Sequence, residues 1–139
     1  MIRAVLATVV LAFAFSGAVA DTITVCASGC QYTSINAAIA AANDGDIIQL
    51  SDGTYTEGAV IDTLGKAITL RGAVDKSGAA LSILDGGNLH GVLKCISGED
   101  DTTVFENLVI QNGSAAYGGG MYNGSSSPTL TNCTFTENT

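Results

Sequence analysis

Apolar residues in the second half of this chain return at alternating positions in short bursts, each closed by Gly, Asn or Ser. Phe105-Glu106-Asn107-Leu108-Val109-Ile110-Gln111-Asn112-Gly113 and Leu130-Thr131-Asn132-Cys133-Thr134-Phe135-Thr136-Glu137-Asn138 are two versions of one pattern. Setting Asn107 on Asn132 places Leu108 on Cys133 and Ile110 on Phe135, a repeat of 25 residues. One step earlier, Ile83 in Leu81-Ser82-Ile83-Leu84-Asp85-Gly86 precedes Leu108 by the same 25 residues. Alternation predicts strands with one buried face. A period in the twenties with glycine turns predicts a solenoid, because each repeat is too small to bury its own apolar face and must stack on its neighbours.

The rest of the chain reads in the same way. Thr22–Val25 alternates as a short strand. Thr33-Ser34 offers a helix N-cap, and Ile35, Ala38, Ile39 and Ala42 fall on one face at helical spacing. A helix is predicted over Ile35–Ala42, stopped by Asn43-Asp44-Gly45. A single amphipathic helix before a run of strands is suited to covering the open end of the first coil. From Asp46 onward strands are predicted at Ile47–Leu50, Thr54–Thr56, Ala59–Ile61, Lys66–Leu70, Leu81–Leu84 and Val92–Ile96. Between the two late strands, Gly118-Gly119-Gly120-Met121-Tyr122-Asn123-Gly124 reads as turn, apolar pair, turn. Such spacing also fits a sandwich. The return of apolar pairs at 20 to 25 residues (Ile68 after Ile48, Phe135 after Ile110) favours stacked parallel strands instead. The interior is predicted to hold Ile48, Leu50, Ile68, Leu70, Ile83, Ile96, Leu108, Ile110, Cys133 and Phe135.

Residues 1–20 break the pattern. Arg3 precedes an apolar run from Ala4 to Phe15, and Ala18-Val19-Ala20 has the small-x-small form of a cleavage site. This predicts a secretory signal peptide over 1–20, cut before Asp21. The rival reading, an uncleaved membrane anchor, needs a run of about 20 apolar residues. The organisation expected is therefore 1–20 signal peptide, 21–45 strand, cysteine pair and capping helix, and 46–139 coils. The chain stops at Thr139 within a repeat, and further coils are expected beyond it.

Charge narrows the partners. The chain carries a net charge of −8, which argues against nucleic acid and anionic membranes. All four cysteines follow the leader. Cys26 and Cys30 flank Ala-Ser-Gly, and export predicts a disulfide between them, with Gly29 making the turn. A metal site is the alternative, but the only His lies far along the chain. Cys95 and Cys133 occupy inward strand positions and read as buried free thiols.

Tyr32-Thr33-Ser34-Ile35-Asn36-Ala37-Ala38-Ile39, Gly45-Asp46-Ile47-Ile48-Gln49-Leu50, Gly53-Thr54-Tyr55, Ile68-Thr69-Leu70-Arg71-Gly72 and Leu84-Asp85-Gly86 together resemble the start of pectin-lyase-like proteins. Gly118-Gly119-Gly120-Met121-Tyr122-Asn123 and Phe135-Thr136-Glu137-Asn138 resemble the paired Gly-Gly-x and Phe-x-x-Asn motifs of polymorphic outer-membrane-protein repeats. The resemblance implies an all-β chain forming a right-handed parallel β-helix of about four coils, with an N-terminal capping helix. It covers lyases, hydrolases, adhesins and purely structural domains, so it implies a fold more sharply than an activity.

The candidate chemistry is sparse. A polygalacturonase-like site needs Asn-Thr-Asp, Asp-Asp, His-Gly and Arg-Ile-Lys in that order. Here Asp100-Asp101 follows His90-Gly91 and the other motifs are missing. A pectate-lyase-like site needs carboxylates converging on calcium and a basic Arg. Glu99, Asp100 and Asp101 are the candidate calcium ligands, although a solvated loop explains them as well. Arg71 reads as a solvated strand-end group and His90 as a turn residue. Asn107, Asn112, Asn132 and Asn138 read as strand-end residues able to stack in an amide ladder. Asn112, Asn123 and Asn132 also open glycan acceptor motifs, which matter in a eukaryotic source, with Asn123 in its Ser-rich loop the best placed. Thr-x-Thr recurs at Thr22/Thr24, Thr54/Thr56, Thr129/Thr131 and Thr134/Thr136. Its uneven spacing predicts that these pairs do not share one face.

The function expected is a secreted or cell-surface, non-catalytic β-helix for adhesion, carbohydrate contact or structural spacing. Its partners would be a polysaccharide or cell-surface ligand, and further coils or a second copy at the C-terminal edge. The runner-up is a carbohydrate-active lyase or hydrolase whose catalytic coils lie outside this chain. Ice or mineral-surface binding stands third.

Overall fold

The structure, a computed structural model, describes residues 18–139. Residues 1–17 of the predicted signal peptide lie outside them. Over the described residues the chain is a β-solenoid of about four coils, built from parallel strands with a single short helix. Its elements are β1 (Thr22–Val25), α1 (Ile35–Ala41), β2 (Ile47–Leu50), β3 (Gly53–Tyr55), β4 (Ile61–Asp62), β5 (Thr69–Arg71), β6 (Ser82–Asp85), β7 (Leu93–Cys95), β8 (Val104–Gln111), β9 (Met121–Asn123) and β10 (Thr129–Thr136). The coils have three sides. On the first side β1, β2, β5 and the front halves of β8 and β10 stack. On the second stand β3, β6 and the back halves of β8 and β10. The third is β4, β7 and β9.

Stacking in register places like residues over like. Ile23, Ile48, Leu70, Phe105 and Leu130 form one inward column, and Tyr55, Leu84, Ile110 and Phe135 form another. The members between the two ends are fully buried. Burying a Leu, Ile or Phe side chain stabilises by about 1.5–3 kcal/mol, so these columns hold the coils together.

The long strands β8 and β10 turn a corner midway. Asn107 (φ 59°) and Asn132 (φ 49°) adopt left-handed backbone there, a conformation Asn tolerates better than most residues. The asparagines expected at strand ends therefore sit partly inside strands, at the corners. Asn132 Nδ2 donates to Asn107 Oδ1 at 2.9 Å, one rung of the expected ladder. Asn112 and Asn138 do not extend it. Asn112 donates to Asp85, and Asn138 bonds the backbone of Ile110 and Gly113.

The paired glycine and Phe-x-x-Asn motifs pack against each other. A side chain at Gly120 would meet the Phe135 ring at 2.7 Å and the Asn138 amide at 3.0 Å. The glycines clear the space that Asn138 uses to accept from Gly113 N–H at 2.8 Å and donate to Ile110 C=O at 3.0 Å.

Several predicted positions are corrected. The 25-residue repeat holds between β8 and β10, where Leu108 pairs with Cys133. One coil earlier it slips by a residue, because Ser82, not Ile83, pairs with Leu108. Ile83 therefore faces outward and Leu84 fills the core. Ile48 pairs with Leu70 rather than Ile68, although Ile68 is itself buried just ahead of β5. Loops of different length cause both slips, and the insertion from Ala73 to Leu81 is the longest break between the first and second sides. Ile96 lies just past β7 and is 46% exposed, so it is not interior. Cys133 and Phe135 point inward in register, but they belong to the outermost coil. Cys133 is half-buried and Phe135 is 44% exposed. Cys95 is a fully buried free thiol, and burial pushes its pKa up to about 11.

The four Thr pairs do not share one face, as their spacing predicts, because Thr54/Thr56 and Thr134/Thr136 belong to the second side, but two of the pairs do come together on the first. Thr22, Ile47, Thr69, Val104 and Thr129 form one outward row, and Thr24, Gln49, Arg71, Glu106 and Thr131 form the next. Thr22/Thr24 and Thr129/Thr131 thus share a face despite their spacing. The rows between them are broken by Ile47, Gln49, Val104 and an Arg71–Glu106 ion pair. Arg71 is paired rather than merely solvated.

Helix α1 ends one residue before the predicted Ala42. Ser34, with extended backbone, is the N-cap, and its hydroxyl accepts from Ala37 N–H at 3.2 Å. Ile35, Ala38, Ile39 and Ala42 are all buried, as their spacing predicts. The helix packs on β1, β2 and β4, over the end of the stack. The Cys26–Cys30 disulfide is formed, with Gly29 at φ 86° in the turn between them.

Candidate functional site

The outward row of the third side is Asp62, Lys94 and Tyr122, stacked through β4, β7 and β9. Alternation along these short strands places Ile61, Leu93 and Met121 inward and this row toward solvent. Lys94 Nζ reaches Asp62 Oδ2 at 2.9 Å, so the only two charges of the row neutralise each other. Beside them lies a shallow groove of about 260 Å³, lined by Val60, His90, Lys94, Ala115, Tyr117 and Tyr122 among others. Tyr117 is 80% exposed and Tyr122 is 46% exposed. His90 sits in the turn before β7, as predicted, and forms the polar rim. Its ring nitrogens lie 2.8 Å from Gly91 C=O and 3.0 Å from Glu57 C=O. Two exposed aromatic rings beside a neutralised ion pair make a surface for stacking and hydrogen bonding.

The acidic candidates behave differently from a calcium site. Glu99 is buried, with its carboxylate turned into the stack. It accepts from Thr63 hydroxyl at 2.6 Å, Gly65 N–H at 2.9 Å, Ser97 N–H at 2.8 Å and Ser126 hydroxyl at 2.8 Å. Burial alone pushes its pKa up. The hydroxyl and backbone donors, Thr63 foremost, outweigh that and hold it down at about 2. Glu99 therefore ties three coils together and has no lone pair directed at a cation. Asp100 caps its own turn through Thr102, and those bonds hold its pKa below the usual value. Asp101 is exposed. Among the described residues no three of His, Cys, Asp or Glu come together as a metal would require.

Other acids also serve the frame. The Asp46 carboxylate accepts from Asp21 N–H at 2.9 Å and Asn43 N–H at 2.8 Å. These backbone bonds, Asn43 first, lower its pKa. Glu57 accepts from Ser34 hydroxyl at 2.8 Å and Ile35 N–H at 2.7 Å, a second N-terminal cap for α1. At the helix C-terminus Lys66 Nζ donates to the carbonyls of Ile39, Ala40 and Ala42 at 2.7, 2.9 and 2.8 Å.

The glycan acceptor asparagines separate by environment. Asn123 is exposed at the end of β9, in register above Cys95. The amides of Asn112 and Asn132 are engaged with Asp85 and with Asn107. Sequence reading missed the Tyr117–Tyr122 groove. Its signal was present in two tyrosines flanking the Gly118-Gly119-Gly120 turn, but their side of the coil depends on register.

No helix among the described residues is long and apolar enough to cross a membrane. Comparison with protein-family models, curated proteins and solved structures found no match.

Proposed function

We propose that this chain is a secreted or surface-displayed, non-catalytic right-handed parallel β-helix segment. It serves adhesion, carbohydrate contact or structural spacing, and its contact site takes a neutral saccharide across Tyr117 and Tyr122. The observation that carries this reading is the exposed tyrosine pair on the third side, next to the Lys94–Asp62 pair and His90. Aromatic faces stack on the C–H faces of sugar rings, and a few fixed polar groups orient the hydroxyls. The net charge of −8 disfavours polyanionic sugars. The acids nearest to catalytic use are spent on the frame, with Glu99 and Asp46 holding backbone and Asp62 paired to Lys94. The likeness of the early coils to pectin-lyase-like proteins, and of the late motifs to polymorphic outer-membrane-protein repeats, supports export and display. A β-solenoid of about four coils is the architecture both would need.

The test is binding of neutral and uronic oligosaccharides by calorimetry, with Tyr117→Ala/Tyr122→Ala as the comparison. Neutral oligosaccharides are expected to bind, and the double variant to lose about tenfold or more in affinity with an unchanged circular-dichroism spectrum. Equal binding by the variant would remove the tyrosines from the site. Release of reducing ends or unsaturated products from any polysaccharide would replace this reading with an enzyme.

A further inference from the structure

Asp46 is a buried carboxylate with no counter-ion in contact. It is 4% exposed and stands between the end of α1 and the start of β2. Its Oδ2 accepts from Asn43 N–H at 2.8 Å and its Oδ1 from Asp21 N–H at 2.9 Å. These bonds, Asn43 first, favour its ionised form. The ion pairs among the described residues are Arg71–Glu106 and Lys94–Asp62, and neither includes it. Lys66 acts on Asp46 only from a distance, because its Nζ is held by the carbonyls of Ile39, Ala40 and Ala42. Buried charges are normally paired.

We propose that processing supplies the partner: cleavage of the Ala20–Asp21 bond turns the Asp21 nitrogen into an α-ammonium that pairs with Asp46 and locks the N-terminal end of the stack. This rests on the export in the reading above. The reaction is a hydrolysis by a leader peptidase. The water oxygen joins the Ala20 carbonyl carbon and the C–N bond breaks. Both protons of the water pass to the Asp21 nitrogen, and Ala20 leaves as a carboxylate.

Two observations bring the cleavage site and the carboxylate together. Ala18, Val19 and Ala20 are exposed, Val19 at 83%, which leaves their small-x-small motif open to a peptidase. The Asp21 nitrogen is already fixed at its acceptor. Asp21 C=O accepts from Ile47 N–H at 2.8 Å, and Thr22 pairs with Ile47, so the register of β1 on β2 sets the 2.9 Å contact. An amine one residue earlier would begin about 3.8 Å farther along the chain. Cleavage one residue later would delete Asp21 and its bond to Ile47. A charged donor makes a hydrogen bond roughly twice as strong as a neutral one.

Two chains test the ion pair, one beginning at Asp21 and one keeping Ala20 in front. Both contain every strand and the helix, which run from Thr22 onward. Both keep a nitrogen donor for Asp46, and only the first puts a charge on it. The Asp21 chain is expected to have a folding constant about fivefold larger at neutral pH, read from urea midpoints. A neighbouring carboxylate raises the pKa of an α-amine above its ordinary value of about 8. The gain should therefore be full below about pH 8 and be lost as pH rises through the raised value. The other titratable groups at this corner are the Asp21 side chain, Tyr32, Asp44 and Lys66. The two chains share them, so the difference reports the amine. Asp46→Asn in both chains should abolish the difference, whatever it costs each chain alone. Equal midpoints at neutral pH, a gain that persists at about pH 10.5, or one that survives Asp46→Asn would overturn the ion pair. Secretion of the full chain, with the mass of the product measured, tests the processing. A product beginning at Asp21 is expected, and one beginning elsewhere would overturn it. Neither result bears on saccharide binding at Tyr117 and Tyr122, which is measured separately.

Discussion

The two ends of the stack solve one problem in different ways. Any coil that ends a solenoid exposes a row of backbone amides and carbonyls and an apolar interior. At the N-terminal end both are covered. Gln31 and Tyr32, pinned by the Cys26–Cys30 bond, occupy the edge of β1, and α1 lies over the interior. The cover is itself secured at both ends of the helix. Ser34 and Glu57 hold the helix N-terminus, Lys66 holds its last carbonyls, and Asp46 holds the chain leaving it. At the C-terminal end the ladder of β10 is open, and Leu130 and Phe135 stand half-covered above Phe105 and Ile110. A closed end requires a dedicated set of polar side chains, whereas the open end shows only what an inner coil would show. That difference leaves the first end bonded and covered, and the second with Leu130 and Phe135 half-covered.

The largest effect is expected where the open end is tied to the middle. Glu99 holds Ser126 of the last coil against Thr63 and Ser97 of the two coils before it. Glu99→Ala leaves the buried Thr63 hydroxyl without its acceptor and releases the partly buried bonds from Ser97 and Ser126, and should cost about 3 kcal/mol, read from the urea midpoint. The same carboxylate sets an acid limit. Its folded pKa is depressed from 4.5 to about 2, so its stabilisation is full above about pH 4.5 and is lost as pH falls toward 2. Asp46, also lowered, loses its contribution in the same direction at the other end. Denaturation midpoints should therefore fall between pH 5 and 2, and Glu99→Gln should flatten the fall. A midpoint independent of pH in that window would contradict the arrangement.

Opening the closed end is the next largest change. Cys26→Ser/Cys30→Ser removes a bridge across a short loop, worth about 2 kcal/mol in stability. The loss is read from the urea midpoint of the double variant, and an unchanged midpoint would mean that Gln31 and Tyr32 hold the edge of β1 without the bridge.

How far the sequence reveals this structure follows from how local each signal is. The helix was legible because Ile35, Ala38, Ile39 and Ala42 obey a spacing fixed within a few residues. The β8–β10 repeat was legible because no insertion separates their two halves. Ile83 and Ile96 were misplaced because inward direction depends on register, and a slip of one residue moves every side chain to the other face. The connections between β6 and β8 introduce such a slip, and nothing in alternation alone reports it. The same limit hid the Asp62, Lys94 and Tyr122 row and the shared face of Thr22 and Thr129. Glu99 looked solvated because it stands next to Asp100 and Asp101. Its burial comes from Thr63 and Ser126, far away in the chain.

The smallest predicted effect concerns the corner of the open coil. Asn132 holds φ 49° and donates two bonds, to Asn107 Oδ1 at 2.9 Å and Gly78 C=O at 3.0 Å. Gly and Ala both delete these exposed bonds, but only Gly adopts the left-handed backbone without strain. Asn132→Gly should cost under about 1 kcal/mol, because exposed bonds contribute little net and the backbone strain is relieved. Asn132→Ala should cost about 1 kcal/mol more, since its Cβ opposes that backbone. The difference between the two variants, measured by urea denaturation, isolates backbone geometry from the amide ladder. A large equal loss in both would mean that the ladder, rather than the φ preference of Asn, sets the corner. The closed and open ends would then be held by the same kind of polar bond, with only the number of bonds distinguishing them.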